Sequence, residues 1–478
     1  MRHLALVVLA AAVVTADAAV LDSCDSVATL AIPPSGCAVT QVAGRVGQAW
    51  QLAWADNSGG VTVTTALRGS APWDAADGIS FWVKGDGSTE LGCVEIIANA
   101  AYSKRYAYTF RIDSTAWTQH IVRWADMVPE FSNPAMVDPV IAPATTTPPS
   151  QIEAIRFHKW YYWGTVAAHT YAIDDIQLVD TIAPDTRDLR PVGDPLARVK
   201  ARLQADLPVS VVTMGDSLTD LNHSAQRIPG TSWPAYLEQR IEFATGSDLS
   251  ITNVAVGGSQ TPQGVVLMQR WLPTLPRPDL VVILFGYNDV DGVGNGTTLE
   301  MMMKDAVRRV RAATDGASDI LLINNIPDRD DGDARPYVPA AILAAATDQN
   351  AGLADTYTLF TNQTDAVRTT WYSDQVHISS AGQNSVAGVV EAVLLASGGG
   401  TTTGGTTTGG TTTTGTGTTT GTGTTGGTTT GGSTTSGGGA GGGSSSSDND
   451  TGCGRGGGAA AAIGVGLMLA LGLRRNRG

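Results

Sequence analysis

Apolar positions along the 478-residue chain follow two regimes. From residue 20 to 180, short runs such as Gly78–Val83, Arg105–Phe110 and Thr170–Ile173 recur between turns rich in Gly, Asp, Asn and Pro. Alternation and aromatic enrichment predict half-buried strands, hence an all-β sandwich. From 196 to 397 the runs become continuously apolar and are separated by segments of helical length. Strands are predicted at Val209–Thr213, Ile251–Val256, Leu280–Phe285, Ile320–Ile326 and Thr356–Phe360, and helices at Trp233–Phe243, Leu299–Ala313, Pro339–Ala351 and Ser380–Ala396. Such alternation predicts a parallel α/β sheet with helices on both faces. An Asp- and Pro-rich segment, 181–195, joins the two regions.

The ends of the chain carry different patterns. Residues 1–19 read as an export signal: Arg2 and His3, then an apolar core from Leu4 to Val14, then Ala16-Asp17-Ala18 as a small-x-small cleavage site. That core is too short to span a bilayer. Residues 398–450 are almost only Gly, Thr and Ser, which cannot bury enough apolar area to offset chain entropy and are expected to form a disordered spacer. Residues 451–478 hold Cys453, an apolar stretch from Gly456 to Leu473 near membrane-spanning length, and a basic end at Arg474, Arg475 and Arg477. This tail resembles bacterial C-terminal sorting tags. The resemblance implies cleavage by a membrane sorting protease and display or release of the protein; an ordinary C-terminal anchor is the alternative. Either places the globular part outside the inner membrane, with the tail as its only membrane contact.

Charge and cysteines narrow the picture. A formal charge of −14 argues against a nucleic-acid partner, which needs a basic face. Cys24 and Cys37 are close enough in sequence to close a small loop in an oxidising compartment, whereas Cys93 and Cys453 have no obvious partner.

Candidate chemistry lies at the strand ends of the second region. Gly215-Asp216-Ser217-Leu218 ends the first strand in a turn at the open edge of the sheet. A serine hydroxyl becomes a nucleophile when a base removes its proton and a third group orients that base. Between 200 and 397 the histidines are His223 and His377, and His377 has Asp374 three residues before it. Asn253–Gly258 ends the second strand in two glycines, either of which can bring a backbone N–H to a developing oxyanion. Gly286-Tyr287-Asn288-Asp289 ends the third strand with a side-chain amide. His223, without a nearby carboxylate, is expected on the surface or a cleft wall, and Asp328–Asp333 as a solvated loop at the edge of the site.

These four motifs, in this order, resemble those of the SGNH, or GDSL, hydrolases. The resemblance covers roughly 209–396 and implies a flavodoxin-like three-layer domain with esterase activity. It implies Ser217 as nucleophile, Asp374 and His377 as its triad partners, and an oxyanion hole from Ser217, Gly258 and Asn288. Spacing from Asn253 favours Gly258 over Gly257. Asp216 and Asp289 are expected to hold the loops, and no metal or organic cofactor is required.

The first region has many aromatics: Trp73, Trp82, Tyr102, Tyr106, Tyr108, Trp117, Trp124 and Trp160-Tyr161-Tyr162-Trp163. Most are expected in the core. Alternation places Trp160 and Tyr162 on one face, making them candidates to stack on sugar rings. Tyr171–Leu178 resembles the last strand of galactose-binding-like jelly rolls, a fold shared by many carbohydrate-binding modules. Together these features predict an exported serine esterase whose partner substrate is an acetylated polysaccharide. The alternatives are a lipase, lysophospholipase or thioesterase, and, from another class, a surface glycan-binding adhesin with a vestigial esterase.

Overall fold

The computed structural model describes residues 19–32, 36–55, 62–99, 104–130, 141–142, 147–159, 167–221, 229–289, 296–330 and 335–396. Residues 1–18 of the leader, the Gly/Thr/Ser spacer, the tail, His223, Trp160, Tyr162 and the second half of the Asp328–Asp333 loop, 331–333, lie outside these residues.

The first region contains β1 (Ala19–Asp22), β2 (Cys37–Ala43), β3 (Gln48–Trp54), β4 (Thr62–Thr64), β5 (Gly78–Lys84), β6 (Leu91–Ile97), β7 (Arg105–Arg111), β8 (Thr118–Arg123), β9 (Val128–Pro129), β10 (Ala154–Lys159) and β11 (His169–Val179). They form two antiparallel sheets, β2-β3-β11-β5-β8 with β1 on β11, and β4-β10-β6-β7-β9. Inward positions alternate as the sandwich requires: Ile79, Phe81 and Val83 from one sheet meet Val94, Ile96 and Phe157 from the other. Trp73, Tyr106 and Trp124 are buried in this core. Trp82 is half-buried, with the Arg45 guanidinium 4.0 Å from its ring centroid.

Cys24 and Cys37 are not bridged, contrary to their spacing. Cys24 is buried at a left-handed φ of 58°, its thiol directed at the Asp22 carbonyl, while the Cys37 thiol faces Ala38 O.

The second region opens with α1 (Ala197–Gln204) and continues as β12 (Val209–Gly215), α2 (Trp233–Thr245), β13 (Leu249–Asn253), α3 (Thr261–Leu267), β14 (Leu280–Leu284), α4 (Thr297–Thr314), β15 (Asp319–Ile323), α5 (Tyr337–Gln349), β16 (Gly352–Ala354), α6 (Thr356–Thr361), α7 (Asp365–Trp371) and α8 (Ser380–Leu395). The sheet is wholly parallel in the order β13-β12-β14-β15-β16, the flavodoxin-like arrangement. Its strands read as continuous apolar runs because both faces are covered. Leu280, Val282 and Leu284 pack with α1, α2 and α8, while Val281 and Ile283 pack with α3, α4 and α5.

One predicted element has a different identity. Thr356–Phe360 is helix α6, and the fifth strand is the short Gly352–Ala354 before it. Asp355 decides this locally: its carboxylate accepts the Thr358 N–H at 3.1 Å, capping a helix in a segment whose Thr, Tyr and Phe content suggested a strand. The short helices α1, α3 and α7 were not foreseen, each having too few residues for a clear helical period.

Candidate active site

Strand β12 is central, and the order of connections reverses between it and β14, so the ends of β12, β13 and β14 meet at the switch point of the sheet. Gly215 closes β12 where a Cβ would lie 2.5 Å from Leu284 O, so only glycine lets the chain turn there. The turn that follows is held by the Asp216 carbonyl, which accepts from Thr219 N and Asp220 N, and by the Asp216 carboxylate, which accepts from Leu218 N at 2.9 Å. Ser217 sits in this turn, 5% exposed.

His377 comes from the loop between α7 and α8. Tyr372 and Ile378 bridge the base of that loop, and Ser373 donates to His377 O through both its N–H and its hydroxyl. Asp374 Oδ1 accepts the N–H groups of Val376 and His377 at 2.8 and 2.7 Å. That leaves Oδ2 for the imidazole: it lies 2.9 Å from His377 Nδ1, and His377 Nε2 lies 3.1 Å from Ser217 Oγ. Burial pushes the Asp374 carboxyl up, but the N–H groups of His377 and Val376 and the imidazole outweigh it and hold it below its usual range.

The other two strand ends converge on the same edge. Asn253 Nδ2 donates to Thr219 O at 2.7 Å, tying the end of β13 to the Ser217 turn. Gly257 donates its N–H to Asp220 Oδ2 at 2.7 Å and is thereby committed to holding the loop. Gly258, the next residue, has a left-handed φ of 77°. Asn288 is pinned from both ends: its side chain donates to Ser259 O at 3.0 Å, and its carbonyl accepts from Gln260 Nε2 at 2.8 Å. The buried Asp289 accepts from Thr261 N and Thr261 Oγ1, so it fastens α3 to the Asn288 turn.

The structure thus brings Ser217, His377 and Asp374 into one hydrogen-bonded line and sets Gly258 and Asn288 on neighbouring loops of that edge. Asp220 and Gln260 were missed by sequence reasoning. Asp220, three residues after the serine in a polar turn, carried the better signal. Asp216 is fully buried, and its Oδ2 has no partner among the described residues. Burial, with the nearby Asp289 charge, raises its carboxyl to about 7, against the pull of the Leu218 N–H and Arg335.

Residues 213–384 match the GDSL-like lipase/acylhydrolase family. This segment is a GDSL hydrolase domain. It is the domain of an SGNH-type carboxylic ester hydrolase, and residues 34–134 match the carbohydrate binding domain of family 11. No curated protein matches the chain in sequence. Among solved structures, the acetyl xylan esterase AlAXEase is similar at 16% identity and a TM-score of 0.33, covering 38% of this chain and 98% of its own. A two-domain esterase active on acetylated mannans is similar at 20% identity and a TM-score of 0.35, over 42% of this chain and 52% of its own, so the match spans about half that protein. The family 11 carbohydrate-binding module from Clostridium thermocellum is similar to 35% of this chain over 98% of its own, at 18% identity and a TM-score of 0.28. Among the described residues, no helix is long and apolar enough to cross a membrane.

Proposed function

We propose that the chain is an exported carbohydrate esterase that removes acetyl groups from a polysaccharide through an acyl-enzyme on Ser217. The observation that carries this reading is the Ser217–His377–Asp374 line, with contacts of 3.1 and 2.9 Å. His377 Nε2 accepts the Ser217 proton as Oγ attacks the ester carbonyl, while Asp374 Oδ2 fixes the Nδ1–H tautomer and stabilises the imidazolium. The oxyanion takes N–H donors from Ser217, Gly258 and Asn288, each worth about 2.7–4 kcal/mol in the transition state. His377 then protonates the departing alcohol. Water, activated by the same imidazole, releases the acid and restores Ser217.

The family 11 match over 34–134 supports a glycan as the alcohol side of the ester. The leader pattern of residues 1–19 supports export, and the tail 451–478 would hold the protein at the cell surface until a membrane protease cuts it. Acetate release from acetylated xylan tests the reading. The native chain should release acetate, and Ser217→Ala or His377→Ala should reduce the rate by at least about 10³-fold. Preference for long-chain p-nitrophenyl esters over acetate would sink the polysaccharide assignment in favour of a lipase. Xylan binding without turnover would point to an adhesin.

A further inference from the structure

Three consecutive residues of the glycine loop, Ser259, Gln260 and Thr261, are bonded to two consecutive residues of the turn after β14, Asn288 and Asp289. Asn288 Nδ2 donates to Ser259 O at 3.0 Å, and Gln260 Nε2 donates to Asn288 O at 2.8 Å. Thr261 donates to the Asp289 carboxylate through its N–H and its hydroxyl. On its other flank the loop is held by Asp220 Oδ2, which accepts from Gly257 N at 2.7 Å. Gly258 and Asn288 therefore sit on two loops fastened directly to each other.

Gln260 has a distinct part in this seam, because it is also the N-cap of α3. Its side-chain oxygen accepts the Gln263 N–H, while its own N–H donates to Gln263 Oε1 at 2.9 Å. Pro262 stiffens the first turn, and Thr261 and Gln263 are buried, so the start of α3 is a firm support. A glutamine head carries an acceptor and a donor in one plane. With the oxygen anchored on α3, that plane is fixed and Nε2 is directed at the Asn288 carbonyl.

The far end of this strut is the residue whose side chain faces the reaction. An amide nitrogen carries two hydrogens, and Asn288 spends one on Ser259 O, which leaves the other for a developing oxyanion. Such a donor helps only when it is already aimed at the place where charge develops. The Ser259 bond sets the rotation of the Asn288 amide. It does not set the backbone from which that side chain springs. The bond from Gln260 does, through the carbonyl of Asn288 itself.

We infer that Gln260 is a positioning residue for ester hydrolysis, holding the Asn288 amide in the orientation that meets the oxyanion. The inference rests on the acyl-enzyme reading. Two variants remove the donor to Asn288 O with opposite side effects: Gln260→Glu keeps an oxygen to cap α3 but adds a charge, and Gln260→Met is neutral but loses the cap. With p-nitrophenyl acetate at about pH 8, where the new carboxyl is ionised, both should lose about 10- to 100-fold in kcat, with KM within about threefold of the native value. In an Asn288→Ala background, itself costing about 10²- to 10³-fold, either change should cost less than about threefold, because the residue it acts through is gone. Cooperative thermal unfolding of each variant reports that it is folded. A loss in Gln260→Glu alone would assign the effect to charge, and a loss in Gln260→Met alone to the cap. Either result overturns the positioning role, as does a full loss repeated in the Asn288→Ala background. Turnover that survives Ser217→Ala refutes the acyl-enzyme reading itself, and the positioning role with it.

Discussion

Asp216 stands next to the nucleophile yet is fully buried, with one oxygen on Leu218 N and the other without a partner among the described residues. Its carboxyl is raised from 3.8 to about 7, so the folded state holds a proton that the unfolded chain releases. The sign follows: the stability from this proton is complete below about pH 4, is lost as pH rises towards 7, and is constant above that. Asp216→Asn keeps an oxygen for Leu218 N and cannot ionise. Its melting temperature should gain on the native protein between pH 5 and 8, by up to a few kcal/mol of stability. Thermal unfolding at both pH values checks this, and parallel pH profiles would refute it. The residues read from sequence, Ser217, Asn288, Asp374 and His377, were legible because each sits in a short motif at a strand end or loop. Asp220, Gln260 and Arg335 were not, because what each does depends on a loop remote in sequence: Asp220 meets Gly257, Gln260 meets Asn288, and Arg335 meets Tyr287.

At the scale of elements, long amphipathic helices and buried parallel strands were legible within a few residues, since burial on both sheet faces dictates their composition. What failed was the junction at Asp355, where three strand residues and six helix residues follow one another too closely for any period to show. A single cap decides that junction. Asp355 Oδ1 accepts from Thr358 N at 3.1 Å and from Asn324 Nδ2 at 3.3 Å, so it couples α6 to the segment leaving β15. Asp355→Ala should cost about 1 kcal/mol, the usual worth of an N-cap, and Asp355→Ser should recover most of it. Urea unfolding of both variants measures the difference. Equal loss in the two would show that the Asn324 contact, rather than the cap, holds the junction.

At the scale of the molecule, β6 shows how the two folded regions depend on each other. An antiparallel strand with one solvated face should alternate, yet every residue of Leu91–Ile97 is buried. Val94 and Ile96 fill the sandwich, while Leu91 and Cys93, with Ala107 and Val128, share a cluster with Val265, Val266, Leu267 and Trp271 of the hydrolase domain. Polar ties flank this seam: Thr109 Oγ1 donates to Val266 O at 2.7 Å, and Arg309 donates to Asp126 O at 2.9 Å. The apolar content on both faces of Leu91–Ile97 was a sequence signal for a covered sheet, but nothing in the sequence named what covers it. A seam this apolar should make the two regions unfold together. Ala107, fully buried there, tests it. Ala107→Glu places an unpaired carboxylate in the seam, a cost of several kcal/mol that separating the two regions would relieve. Calorimetry should show one transition for the native chain and two for the variant, whereas Thr109→Val, which loses one hydrogen bond, should keep one transition at slightly lower temperature. Two transitions in the native chain, or one in Ala107→Glu, would mean that the regions are stable apart and that the seam merely positions them.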